Sequence, residues 1–138
     1  MRRAVRVVHM PAGRPLPEIN SRTLFMARNS RRASPAMDGG FLNAAVLCAK
    51  RFGSPLCLTG SEPIPENPPE TAMFFMESGE HLEEDLETAA CLADRGSRVV
   101  CVAMDTPAVL ENAPEKAWHI VAWQYQQLAL DAVCSLLP

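Results

Sequence analysis

The chain has 138 residues, 48% of them apolar and 21% charged, which suits one globular domain and is short for two. No run approaches the roughly 18 apolar residues of a membrane span, and 7 Gly with 12 Pro exclude collagen-like and low-complexity classes. The net charge of −3 divides into +7 over residues 1–36, where eight Arg face one Glu, and −10 over the rest; only Phe25 interleaves those arginines, so no stacking platform for single-stranded nucleic acid is expected.

In chain order, Ala4–Met10 (AVRVVHM) reads as a partly alternating strand, followed by a Pro/Gly turn over Pro11–Pro17. Thr23–Ala27 (TLFMA) is a continuous apolar strand, and residues 28–39 are expected to be a polar, mobile loop. Over 40–52, Phe41, Ala45, Cys48 and Phe52 share one helical face, and Gly53 ends the helix. Leu56–Thr59 (LCLT) is a short strand, and Glu62–Glu70, with four prolines, is an extended connector. Ala72–Met76 (AMFFM) and Val99–Met104 (VVCVAM) are unbroken apolar runs, as in strands covered on both faces. Between them, 82–95 reads as a helix with a stripe of Leu82, Leu86, Ala89, Ala90 and Ala93. Glu83, Glu84 and Asp85 load its first turn, where negative charge suits the macrodipole, and Gly96 follows its end. Trp118–Trp123 is a sixth strand candidate, and 124–137 a third helix with Leu130, Val133, Cys134 and Leu137 on its apolar face.

Alternating strands and helices predict the α/β class: a three-layer, open, mostly parallel, Rossmann-like sheet of about five strands with helices on both faces. The first strand is expected as a peripheral arm. Residues 1–138 then form a single domain, with 1–20 holding the basic arm and that strand. The five cysteines (Cys48, Cys57, Cys91, Cys101, Cys134) are odd in number and form no CxxC, so they read as buried free thiols of a reducing, cytoplasmic compartment. Arg6 and His9 interrupt any signal-peptide core.

Ligands of open α/β sheets bind beyond the carboxyl ends of the strands, so those ends supply the candidate site. Asn29 and Ser30 follow the second strand. Glu77, Ser78, Gly79, Glu80 and His81 follow AMFFM, and Asp105 and Thr106 follow VVCVAM. Glu77, Glu80 and His81 carry acid–base chemistry, although Glu80, Glu83 and Glu84 read equally as a solvated first turn. Ser78-Gly79 offers backbone N–H groups to an anion, with flanking acids opposing a phosphate. Asp105 is a ligand contact or a turn residue, and His119 a structural histidine. Trp118, Trp123 and Tyr125 form either a sugar-stacking surface or core. GxSxG, Walker and GxGxxG patterns and zinc-ligand spacings are absent, so no cofactor and no metal are expected.

Residues 99–114 (VVCVAMDTPAVLENAP) run from a strand through Pro107 and Leu110 to Pro114, and an apolar strand and a helix ending in Leu-Leu follow. Ala4–Pro17 opens on a strand and a Leu-Pro turn, and Arg22–Ala27 supplies the next strand. This arrangement resembles the carboxyl-terminal α/β domain of family 3 glycoside hydrolases, of the β-N-acetylhexosaminidase-like branch. Ala108 and Val109 stand where that family has Tyr-Asp, and Ala113 where it has Phe. The resemblance implies a second domain whose catalytic nucleophile would lie on a separate barrel, with Glu77 as the one carried-over acid/base position. Residues 74–103, with Ser78, Gly79, Glu80 and an Arg-Gly-x-Arg-Val strand, also resemble the sugar-isomerase (SIS) domain. Met76 and His81 replace two of its phosphate-holding hydroxyl residues.

The function these resemblances imply is a stand-alone or degenerate second domain of a family 3 type protein. It would bind carbohydrate or a partner without catalytic self-sufficiency, because glycoside hydrolysis ordinarily needs two flanking carboxyl groups. An SIS-like sugar-phosphate module and a basic-armed interaction domain are the alternatives. Expected partners are a carbohydrate or sugar phosphate, and a separate barrel domain or a second copy of the chain. Neither nucleic acid nor a membrane is expected.

Overall fold

The computed structural model describes residues 5–28, 30–32, 41–53, 56–58, 66–125 and 127–138. It is a mixed α/β fold built on one six-stranded, mostly parallel sheet and three helices. The sheet contains β1 (Arg6–His9), β2 (Thr23–Met26), β5 (Leu56–Leu58), β6 (Thr71–Met76), β7 (Arg98–Ala103) and β8 (Trp118–Val121). A separate antiparallel pair, β3 (Ser30–Arg32) and β4 (Phe41–Asn43), precedes α1 (Ala44–Phe52). The other helices are α2 (Leu82–Asp94) and α3 (Gln127–Leu136). Among the described residues, no helix is long and apolar enough to cross a membrane.

The spatial order is β1-β8-β7-β6-β2-β5, and every neighbouring pair is parallel except β1 with β8. The five parallel strands follow the doubly wound order 2-1-3-4-5, whose switch point lies between β2 and β6. The continuous apolar runs find both their faces covered, as predicted: β2 and β6 are buried at every residue. Alternation splits the core in two. Phe25, Met73, Phe75 and Val102 pack with Ala45 and Cys48 of α1 and Leu130 and Val133 of α3. Leu24, Met26, Phe74 and Cys101 pack with Ala89 and Leu92 of α2. A buried Phe or Met contributes about 1.5–3 kcal/mol, so these runs carry much of the stability.

Four expectations need correction. The sheet has six strands instead of about five, because β1, peripheral at one edge, hydrogen-bonds β8. Phe41, counted on a helical face, lies in β4, and α1 starts only after Asn43. Residues 30–32, expected in a mobile loop, pair with β4, while 29 and 33–40 lie outside the described residues. Gly53 ends α1 as expected, at φ 66, a left-handed conformation open to glycine at little cost. None of the five cysteines forms a disulfide, but Cys91 is exposed and Cys57 half-buried, against the expectation that all would be buried.

Candidate functional site

Parallel register brings the strand ends to one rim. Met76 pairs with Ala103 and Ala103 with Val121, and the Met104 N–H donates to Met76 O and the Ala122 N–H to Ala103 O, each at 2.8 Å. Continuing the β2–β6 register from Met26–Phe74 sets Arg28 level with Met76, one residue before Glu77. The switch point is therefore flanked by Arg28 on one strand and Glu77 on the next.

The two residues belong to opposite sides of the sheet. Continuing the alternation of β2 assigns Arg28 to the α2 side. There its guanidinium donates to Asp85 and lies 3.4 Å from Glu84. The Arg28 and Asp85 side chains are 6% and 3% exposed, so this is a buried ion pair. Arg28 Nε is buried with no hydrogen-bond acceptor among the described residues. Burial pushes the Asp85 carboxyl up to about 6, despite the opposing pull of the Arg28 charge and hydrogen bond. Asp85, which shares the α2 first turn with Glu83 and Glu84, is thus buried.

Glu77, buried at 7% exposure, falls by the same alternation on the side of α1 and α3. On that side Asn43 donates through Nδ2 to Ala27 O at 3.0 Å and accepts the Ala45 and Val46 N–H groups at its Oδ1. The Tyr125 hydroxyl accepts the Ala44 N–H at 2.9 Å. Asn43 and Tyr125 seat the start of α1 at the rim. Asn43 directly before Ala-Ala is a helix-start signal in the sequence, masked by the helical spacing of Phe41 with Ala45 and Cys48.

Asp105 is occupied by the loops themselves. Its Oδ2 accepts the Ser78 N–H at 3.1 Å and the Ser78 hydroxyl at 2.5 Å, and its Oδ1 accepts the Thr106 N–H at 2.7 Å. Thr106 Oγ1 in turn caps the short 3-10 turn Pro107–Leu110. These bonds tie the β6 and β7 loops together. We expect Asp105→Ala to lower stability by about 1–2 kcal/mol in urea denaturation and to loosen Ser78. Gly79 turns the chain toward α2 at φ 136, a backbone conformation suited to glycine.

The predicted residues Glu77, Ser78, Gly79, Asp105 and Thr106 therefore share the rim. Glu80 and His81 stand off it at the α2 start, where they face each other at 3.5 Å with Glu80 largely exposed. Ser30 lies in β3, opposite Asn43, and Asn29 falls outside the described residues. The aromatic trio is split: Trp118 and Tyr125 pack on the α1/α3 side and Trp123 on the α2 side, so they form no single stacking surface. Trp123 holds φ 70 at the end of β8, a strained conformation for a bulky residue. His119 donates to Pro114 O at 3.0 Å, in a structural role. Among the described residues, no group of three or more His, Cys, Asp or Glu side chains is placed to hold a metal ion.

No protein-family model, curated protein or solved structure matches this chain. The rim must be read from its own chemistry. That chemistry is acidic: Glu84 and Asp85 pair with the buried Arg28 on the α2 side, and Glu77 and Asp105 add two further carboxyl groups at the ends of β6 and β7. Carboxylates accept hydrogen bonds from hydroxyl groups and repel a phosphate, whose charge has the same sign.

Proposed function

We propose that the chain is a carbohydrate-binding α/β domain, similar to the second domain of family 3 glycoside hydrolases and not a hydrolase by itself. A three-layer arrangement with helices on both faces is part of this reading. A single observation carries it: the buried Glu77 carboxylate sits at the switch point, where open α/β sheets take their ligands. Glu77 would accept sugar hydroxyls, with Ser78 beside it. Hydrolysis would need a second carboxyl group across the scissile bond, and a partner barrel would supply it.

The sugar-phosphate alternative finds less support. The Ser78 N–H and hydroxyl, which would meet a phosphate, already bond Asp105. The first turn of α2 carries Glu83, Glu84 and Asp85, which oppose a dianion. One thermal-shift series separates the readings. Glucose and N-acetylglucosamine at about ten times Kd should raise Tm by a few degrees, and glucose 6-phosphate should not. Glu77→Gln should weaken sugar binding about 10–100-fold, the loss of a charge-assisted hydrogen bond. A shift with the phosphate alone would favour the alternative. A flat response to every sugar, or unchanged affinity in Glu77→Gln, would overturn the proposal.

A further inference from the structure

Two thiols meet in the packing between α1 and α3. Cys48 Sγ and Cys134 Sγ lie 3.4 Å apart and both are buried, although 86 positions separate them in the chain. Arg51 donates to Asp131 at 2.9 Å about one turn away on each helix, so an ion pair ties the same two helices beside the thiols. Disulfide sulfurs sit at about 2.05 Å, so closure from this contact asks for a shift of roughly 1.4 Å. Side-chain rotation and small helix movements supply shifts of that size.

We propose that Cys48 and Cys134 are an oxidisable dithiol that closes into an intrachain disulfide and clamps α1 to α3. Cys134 is the attacking sulfur. The Cys48 thiol donates a hydrogen bond to it and, against the cost of burial, Arg51 adds a positive charge nearby, so its thiolate is favoured. The oxidant is hydrogen peroxide. The Cys134 thiol releases its proton, the thiolate attacks one peroxide oxygen, the O–O bond breaks, and the departing hydroxide takes up the released proton as water. This leaves a sulfenic acid. The Cys48 sulfur then attacks the sulfenic sulfur, the S–S bond forms, the S–O bond breaks, and the leaving hydroxide takes the Cys48 proton as a second water. Two thiols have lost two hydrogens, and one peroxide has become two waters.

The test uses the full chain carrying Cys91→Ser, which removes the exposed thiol that would cross-link separate molecules. The protein is treated with hydrogen peroxide, quenched with catalase, denatured and alkylated with N-ethylmaleimide without reductant. The oxidised chain should take two fewer maleimides than the reduced one. Peptide mapping should recover the Cys48 peptide joined to the Cys134 peptide, and dithiothreitol should reverse both changes. The link constrains the unfolded chain over a long span, so Tm should rise by at least about 5 °C. Cys48→Ser should abolish the link and the gain. Full alkylation after peroxide, a different pairing, or oxidation of Cys134 to sulfinic acid with no link would overturn the proposal. The peptide map of the Cys91→Ser chain decides the matter even if Cys48→Ser does not fold.

Discussion

Arg28→Met is expected to destabilise the fold by about 3–5 kcal/mol at pH 7, the usual cost of stranding one member of a buried ion pair. Methionine fills much of the volume of the arginine stem, so the loss reports the buried Asp85 carboxyl left without its partner. The pH dependence identifies the cause. The Asp85 carboxyl has an ordinary value of 3.8 and is raised to about 6 by burial. The folded chain therefore holds a proton there that the unfolded chain releases. The stabilisation this group gives is full below about pH 4 and is lost as pH rises through 6. Without the guanidinium, that window moves further up. The variant should thus lose clearly less at pH 5, where Asp85 is neutral, than at pH 7. Urea denaturation at the two pH values measures this, and Arg28→Met/Asp85→Leu should recover most of the loss. An equal loss at both pH values, or a loss under about 1 kcal/mol, would show that the pair is not held in a dry environment.

Asn43→Ala should cost about 2–4 kcal/mol, more than an ordinary helix cap. The side chain does two jobs at once. Its Oδ1 accepts from the Ala45 and Val46 N–H groups, and its Nδ2 donates to Ala27 O in a buried setting. Alanine leaves donors and an acceptor unsatisfied together. Aspartate is normally as good a cap as asparagine, but here its second oxygen would face the Ala27 carbonyl. Asn43→Asp should therefore keep the helix start and still lose about 1–2 kcal/mol, with the larger loss at high pH. Equal stability of the Asp and Asn chains would remove the Ala27 contact from the account.

The sheet was legible wherever burial wrote itself into long apolar runs. AMFFM and VVCVAM have no polar face, and they occupy adjacent places in the sheet. The stripe of 124–137 is equally plain, with Leu130, Val133, Cys134 and Leu137 all buried. The β3–β4 pair was hidden because its strands have three residues each, and Ser-Arg-Arg shows no alternation. Phe41 fitted a helical spacing by coincidence, and only the capping role of Asn43 breaks that fit. Of the site, the sequence pointed to Glu77, Ser78 and Asp105 through a rule of topology. It concealed the Arg28–Asp85 pair, since 57 positions separate these residues and an acid in a first turn usually faces water.

The pairing of β1 with β8 sets an order of assembly. Arg6 and Val121 are register partners across most of the chain's length. During synthesis β1 precedes by more than a hundred residues the strand that is its one sheet neighbour among the described residues. The strand must wait, with the core-facing Val5 and Val7 uncovered, until β8 has formed. Closing so large a loop is slow and entropically costly. A nascent chain stalled before Trp118 would thus present a waiting strand to its surroundings, the stage at which a chaperone would find something to hold.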